Sequence, residues 1–170
     1  MELNNMASAS TYTPIATQTV SGSTTTTVSF TSIPQTYTDL ILICNASTVS
    51  GNYDIGLQFN SDTSGSYSFT YMRGNGSVAS SSRSVGQVFA WTDWAGYTTT
   101  IGQTITHINN YSNSTTYKTV LSHYGNLGSA VDSVVSLWRN TAAITRIDAT
   151  MSGGFFASGS TVTLYGILAA

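Results

Sequence analysis

Apolar and polar side chains alternate along most of this 170-residue chain. The segment 54–60 places Ile55, Leu57 and Phe59 on one face and polar or small residues on the other. The segment 66–73 repeats this pattern with aromatic residues. A period of two is typical of a strand that buries one face, because successive side chains of a strand point to opposite sides. The pattern therefore predicts β-strands.

Turn-forming residues lie at 61–65, between these two predicted strands, and they indicate a β-hairpin. The segment 40–44, with the sequence LILIC, is apolar on both faces. This pattern favours a central strand that is covered on each side. Cys44 is then expected to be a small buried apolar residue rather than a reactive thiol.

Signals for helices are nearly absent, and β-branched and aromatic residues recur in short runs between turn residues. Strands are predicted at 25–33, 39–47, 54–60, 66–73, 87–92, 99–111, 116–124, 131–138, 144–151 and 160–168. About ten short strands without helical crossovers are typical of an antiparallel β-sandwich. We expect an all-β fold with a single sandwich domain over residues 19–170.

The N-terminal residues 1–18 are polar and irregular, and they predict an extended arm. Such an arm needs a neighbouring protomer or another chain to hold it in place. Tyr12 and Pro14, near the end of the arm, are candidate contacts with that partner. The segment 74–86 is rich in glycine and serine around Arg83, and it is predicted to be a loop that is mobile or ordered by a partner.

Charged side chains make up 7% of the residues, with five basic, seven acidic and a net charge of −2. The basic residues are scattered, so nucleic-acid binding is not expected. A hydroxyl-rich surface with few charges repels other molecules little and responds little to salt, which favours a protein that sits against neighbours. The alternative explanation of the low charge content is a compositional bias of the source organism. No stretch approaches the ~20 apolar residues that a helix needs to cross a bilayer, so no membrane partner is expected.

The acidic residues form no recognisable catalytic motif, so neither enzyme activity nor a cofactor is expected. His107 and His123 lie on either side of a predicted hairpin loop. With the loop centred on Thr115 they would face each other and could share a metal ion, but a shift of register would separate them. No cysteine or acidic residue nearby completes a zinc site, so solvent-facing histidines are favoured and no metal is expected.

The stretch AWTDWAGY contains the most suggestive cluster of side chains for binding. Trp91, Trp94 and Tyr97 around Asp93 could form a platform whose rings stack on a sugar and whose carboxylate binds its hydroxyls. Aromatic residues also anchor protein interfaces. The structural alternative is packing in the core or at its rim, at the end of a strand.

The segment 136–167, SLWRNTAAITRIDATMSGGFFASGSTVTLYGI, resembles the C-terminal part of a group of tailed-phage virion proteins. YTPIATQTVSG and IPQTYTDLILI, near the start, are similar to the first strands of the same group. Three of the residues in these motifs have predicted structural roles. Gly159 suits a turn that requires a positive φ, and Gly166 suits a close approach by another group. Trp138 is expected to fill the sandwich, with its N–H bonded to a backbone carbonyl.

The resemblance implies a jelly-roll-like sandwich that serves as a capsid cement (decoration) protein or as a domain of a tail fibre. The absence of a long shaft favours the cement protein, on the outer surface of the virion capsid. Its expected partners are the major capsid protein and other copies of the chain, commonly in a homotrimer. The alternative is a tail-fibre domain that recognises a host surface carbohydrate. The motifs fall on folding residues, so the resemblance carries over no catalytic or binding site.

Overall fold

Thirteen antiparallel strands and no helix make up the part of the chain that the computed structural model describes, which is residues 11–94, 96–98, 100–125 and 130–168. The strands are β1 Tyr12–Thr19, β2 Thr27–Phe30, β3 Asp39–Ala46, β4 Asp54–Phe59, β5 Tyr67–Gly74, β6 Ala79–Gln87, β7 Ala90–Trp94, β8 Gly96–Tyr97, β9 Thr100–Ile108, β10 Lys118–Gly125, β11 Val131–Trp138, β12 Ile147–Met151 and β13 Thr161–Ile167. The side chains of residues 94, 96 and 97 are outside this description.

The strands form two antiparallel sheets. The large sheet has the order β1-β13-β3-β9-β10-β11-β5-β6, with the short β8 paired to β9. The small sheet has the order β2-β12-β4-β7. The prediction of an all-β, antiparallel, single-domain fold is confirmed, and the jelly-roll strand order stays a prediction.

The core lies between the two sheets and is built from the inward face of each strand. As predicted, Ile55, Leu57 and Phe59 are buried on one face of β4. Phe59 packs against Trp138 with ring centroids 5.4 Å apart, and Tyr67 stacks on Trp138 at 6.2 Å. Each such side chain contributes roughly 1.5–3 kcal/mol when it leaves water, so this aromatic cluster joins the two sheets strongly.

The expected burial of Cys44 in the central strand β3 is confirmed, with 4% of its surface exposed. Burial raises the pKa of its thiol to about 12, because the thiolate would lose its hydration there. The thiol is therefore protonated and unreactive at neutral pH.

The predicted hairpin between 54–60 and 66–73 is wrong. β4 pairs with β12 and β7 in the small sheet, whereas β5 pairs with β11 and β6 in the large one. Asn60 and Ser61 adopt positive φ values of 52° and 58° at the exit of β4. The side chain of Asn60 binds the backbone of Ala143 and Thr145, which turns the chain towards the other sheet. Alternation within the strands does not distinguish a hairpin from a crossing between sheets.

The loop predicted at 74–86 is also wrong, because most of it is strand. β6 runs from Ala79 to Gln87 and pairs with β5 in unbroken register from Gly74↔Ala79 to Ser68↔Val85. A tight turn precedes it, in which the side-chain oxygen of Asn75 accepts bonds from two backbone N–H groups. A strand at the edge of a sheet buries little surface, so its sequence needs no apolar alternation.

The irregular conformation expected over residues 1–18 is wrong for its last part. Tyr12–Thr19 form β1, which pairs with the C-terminal strand β13 and has a register shift between Pro14 and Ala16. Proline has no N–H to donate to a neighbouring strand, so sheets accept it mainly in edge strands and at bulges. Pro14 lies in an edge strand and beside a bulge. The remainder of the predicted arm, residues 1–10, lies outside the described residues.

The roles expected for the two glycines are confirmed. Gly159 has a φ of +87° in the turn before β13. A Cβ on Gly166 would lie 2.3 Å from the ring of Tyr37. The bond expected for Trp138 is wrong, because its N–H donates to a carboxylate oxygen of Asp62 and not to a backbone carbonyl.

Candidate functional site

The large sheet has two faces of different character. The small sheet packs on one of them, and the alternation of burial along β10 and β11 identifies the residues of each face. In β10, for example, Val120 and Tyr124 are buried on the covered face, whereas Leu121 and His123 are exposed on the opposite face. We name this opposite face, with its side chains from β1, β13, β3, β9, β10, β11, β5 and β6, the outer face.

The strand register places the residues of the outer face in rows. One row runs Tyr165, Ile41, His107, Leu121 and Val135, each the direct cross-strand partner of the next. Directly opposed side chains of antiparallel strands lie about 4.5–5.5 Å apart at Cβ, so the members of the row are neighbours, and Ile41 is only 2% exposed among them.

A second row lies two residues further along the strands. It runs Ile43, Ile105, His123, Ser133 and Met72. His107 and His123 are therefore diagonal neighbours on one face, because His107 is opposite Leu121 and His123 is opposite Ile105. The directly facing pair considered for a shared metal ion does not form, and the described residues contain no group of three or more metal-binding side chains.

Apolar side chains on the outer face are exposed to an unusual extent. Leu121 is 36% exposed and its partner Val135 is 47% exposed. Further exposed apolar residues on this face are Tyr12, Met72, Val85, Ile101 and Val131. Contiguous apolar patches of this kind on a soluble protein mark an interaction site.

Formal charge is confined to the margins of the outer face within the described strands. Asp39 lies at one end of β3, where its carboxylate accepts a bond from the backbone N–H of Asn110. Arg83 lies on the edge strand β6. The central strands contribute only apolar side chains, hydroxyls, the two amides of Asn45 and Gln103, and the two histidines. Docking on this face would therefore bury few charges, which are the costliest groups to remove from water.

The outer face is large enough for a stable interface. The eight strands of the main sheet order lie about 4.8 Å apart, and about seven residues of each at about 3.3 Å per residue give roughly 35 Å by 23 Å. This is roughly 800 Å², which is what one partner contributes to a standard protein–protein interface.

A hollow of about 770 Å³ lies at one margin of the outer face, where β10, β11, β5 and β6 end. Gly74, Ala79 and Ser81 are among its lining residues, and Met72, Val131 and His123 stand around them. Small side chains in adjacent strands create the depression, because a glycine in a strand leaves the neighbouring backbone uncovered.

A charged cluster adjoins this hollow, because Arg73 and Asp132 are also among its lining residues, and its charged groups meet on the covered side of the sheet. Arg73 and Asp132 are direct cross-strand partners, and the guanidinium donates to both carboxylate oxygens over 2.6–2.9 Å. Its Nη2 also lies 3.2 Å from Asp93, which is fully buried. Burial alone would raise the pKa of Asp132, but the bonds from Arg73 outweigh it and hold the pKa below its usual value. The cluster stabilises the packing of β7 on the large sheet.

Two members of the predicted aromatic platform are buried. Trp91 is 7% exposed and packs against Phe69 and Tyr71, with both ring centroids 4.9 Å away. Asp93 lies after a register shift in the pairing of β7 with β4, at a φ of +92°. A bulge re-aims the residue that follows it, and here the carboxylate points at Arg73. Core packing, the structural alternative, therefore describes Trp91 and Asp93, while the side chains of Trp94 and Tyr97 lie outside the described residues.

Tyr12 and Pro14, the candidate contacts of the arm, lie in β1 at the edge of the large sheet. Both are exposed, and their register places them opposite Ile167 and Tyr165 on the outer face. They therefore lie beside the apolar rows and not on a separate arm. The outer face itself was missed from the sequence, although strands 116–124 and 131–138 carry apolar residues at both odd and even positions, which was the available signal.

Comparison with known proteins does not identify a relative. No protein-family model matches the chain, and no curated protein sequence matches it. Among the described residues, none belongs to a helix long and apolar enough to span a bilayer.

Proposed function

We propose that this chain is a structural protein of a tailed-phage virion, and that it cements the outer surface of the capsid by binding the major capsid protein and other copies of itself. The observation that carries this proposal is the outer face, a broad sheet surface with apolar rows at its centre and charge only at its margins. A surface of this composition and size is suited to permanent contact with a neighbour. The resemblance of residues 136–167 to phage virion proteins supplies the class of neighbour.

The physical basis of the cementing is burial of apolar surface with little electrostatic contribution. Burial stabilises by about 25 cal/mol for each Å² of apolar surface removed from water. Because few charges take part, the contact would respond little to ionic strength. Many identical weak contacts on one lattice add up through multivalency, so no single contact has to be strong. A homotrimer, as the resemblance implies, would multiply the contacts further.

The proposal includes no catalytic role. Asp93 and Asp132, the carboxylates that the fold brings together, both bind Arg73. A general acid or base must reach a substrate, and the carboxylates of this pair are removed from solvent. A structural role accounts for the burial of these residues.

The test is binding to purified phage particles that lack the protein. Leu121→Glu and Val135→Lys place charges at the centre of the outer face, where docking would have to bury them. The matched control is Val49→Glu, since Val49 is 37% exposed but lies between β3 and β4, away from this face. We expect both face variants to lose occupancy on the particles while keeping their melting temperature, and the control to bind normally.

Equal occupancy of the face variants and the wild-type protein would contradict docking through the outer face. Failure of the wild-type protein to bind phage capsids of any kind would contradict the cement role.

Deletion of residues 2–10, which leaves β1 intact, tests the separate prediction that the N-terminal arm reaches a neighbour. We expect this deletion to lower occupancy without changing the fold.

The second candidate is recognition of a host carbohydrate by a tail-fibre domain, and the hollow at the margin of the outer face favours it. Its lining combines apolar walls with Ser81, Ser133 and His123, which could bond sugar hydroxyls. A glycan array with the wild-type protein and with Ser133→Leu distinguishes the two functions. Saturable binding that the variant loses would favour the receptor role, whereas an array without signal would favour the cement role.

A further inference from the structure

The two sheets end in four main edge strands, and three of these are unsuited to pairing with another chain. β1 carries Pro14 and a register shift. β2 has only four residues, and β7 has five with a register shift against β4. Prolines, bulges and short length are the features by which proteins protect sheet edges from other strands.

β6 carries only one of these protections, a register shift against β5 at Gly86, near the end of the strand. It has nine residues without proline, and its register against β5 is regular from Ala79 to Val85. Within the described residues it pairs with β5 alone. Near its end, the carbonyl of Val85 accepts a bond from the side chain of Gln87, so the open stretch is 79–84. A regular strand with one open side presents N–H and C=O groups that a further strand can bind.

We propose that β6 pairs with β6 of a second copy of this chain, antiparallel across a twofold axis, so that the two large sheets become one continuous sheet. The identity of the partner strand follows from a comparison of the four main edge strands. A partner strand also needs a long regular edge, and β6 is the one main edge of the described chain that offers it. An isologous pair uses the same surface twice, which is the commonest arrangement in homodimers.

The side chains of the open stretch are compatible with this pairing. It has the sequence ASSSRS, so an axis at Ser81 or Ser82 places mostly small hydroxyl side chains opposite each other. Cross-strand serine and threonine pairs stabilise a sheet, whereas like charges directly opposite destabilise it. Either axis keeps the two copies of Arg83 away from directly opposed positions. In both cases the two outer faces lie side by side and form one larger surface.

The pairing is expected to be weak in isolation. Six residues on each side bury far less than the roughly 1,200 Å² below which interfaces are transient. The dimer should therefore form at high concentration, or where another surface holds the copies together. This inference goes beyond the proposed function and does not depend on it, because purified protein alone tests it.

Disulfide formation between engineered cysteines is the main test. Directly opposed residues of antiparallel strands have Cα atoms about 4.5–5.5 Å apart, within the ~4.4–6.8 Å that a disulfide requires. Ser81→Cys and Ser82→Cys each place a thiol at a proposed axis. Ser114→Cys is the control, since Ser114 is exposed in the loop between β9 and β10. The native Cys44 is buried and does not compete.

Because the pair holds the two thiols in direct contact, the faster of the two β6 variants should form disulfide dimers at least about tenfold faster than Ser114→Cys at the same protein concentration. Equal rates for all three variants would overturn the proposal.

A pair of proline variants tests the backbone hydrogen bonds themselves. The N–H groups of successive strand residues point to opposite sides, so one of Ser81 and Ser82 donates towards β5 and the other towards the open side. We expect one of Ser81→Pro and Ser82→Pro to lower the melting temperature, and the other to keep it but lose the dimer in sedimentation from micromolar to millimolar concentration. A variant that keeps the wild-type melting temperature and still dimerises normally would overturn the proposal, as would a wild-type protein that stays monomeric throughout.

Discussion

The indole N–H of Trp138 donates to a carboxylate oxygen of Asp62 over 2.7 Å. Trp138 is fully buried on the covered face of β11, whereas Asp62 lies in the connection between β4 and β5. The same carboxylate accepts bonds from the hydroxyls of Ser64 and Ser66. One carboxylate thus fixes the chain where it crosses from the small sheet to the large one.

Replacement of Asp62 by alanine should lower the free energy of unfolding by about 2–3 kcal/mol, because hydrogen bonds to a charged group are lost and the buried N–H of Trp138 has no acceptor. Asp62→Asn keeps one oxygen that can accept from Trp138, so its loss should be smaller. Urea unfolding followed by tryptophan fluorescence measures both. Equal losses for the two variants would show that the bond to Trp138 contributes nothing.

The core and most of the strands were predictable from sequence because alternation directly reports which side chains leave water. Leu57 and Phe59 in β4 are examples. The connection after β4 was not predictable, since a hairpin and a crossing between sheets both begin with polar turn residues. β6 was missed for a related reason. An edge strand of serines carries no apolar signal, and its order comes from the ladder with β5.

The candidate site was predictable only in part. The aromatic cluster around Trp91 could be found, but its burial depends on Phe69 and Tyr71, which reach it from β5 in the other sheet. The outer face depends on strand order, because Leu121 and Val135 become one surface only when β10 and β11 are neighbours. Sequence patterns give the face of a strand and not the strand beside it.

Removal of the guanidinium of Arg73 should destabilise the protein strongly. Asp132 is 4% exposed and Asp93 is 0% exposed, so Arg73→Met leaves two buried carboxylates without their cation. Breaking a buried ion pair in this way costs about 3–5 kcal/mol, and the partial exposure of Arg73 places this case near about 3 kcal/mol. Thermal and urea unfolding would measure the loss.

The control for this variant is Arg83→Met, which removes an exposed arginine from the edge strand β6. Its effect should stay within about 0.5 kcal/mol, as for most surface substitutions. The loss of stability in Arg73→Lys should lie between those of Arg73→Met and Arg83→Met. An ammonium keeps the charge but cannot form the two parallel bonds to Asp132. Equal effects at the two arginines would contradict a stabilising role for the cluster.

Stability should fall in acid. For both Asp62 and Asp132, burial alone would raise the pKa, but hydrogen bonds outweigh it and hold the pKa below the usual value of the carboxyl. A carboxyl with a lowered folded pKa stabilises the fold above its unfolded pKa of about 3.9, and this contribution is lost as the pH falls through the folded value. Urea unfolding between neutral pH and strong acid should therefore show a steep loss below about pH 4.

Asp62→Asn provides the check on this acid dependence, because it removes one of the two carboxyls. Its free energy of unfolding should fall less steeply below the unfolded pKa than that of the wild-type protein. The contribution of Asp54 to the acid dependence of stability has the opposite sign, since burial raises its pKa. An acid slope that Asp62→Asn leaves unchanged would show that other groups control the unfolding in acid.

The contact of Gly166 with Tyr37 leaves no room for a side chain. A Cβ would lie 2.3–2.5 Å from three ring atoms of Tyr37, so Gly166→Ala forces the ring to move and should cost about 1–3 kcal/mol of stability. Gly125→Ala is the control, because nothing lies within 4 Å of its Cβ position. In a double-mutant cycle, Tyr37→Ala should remove most of the cost of Gly166→Ala. Additive losses would instead place the strain in the β13 backbone.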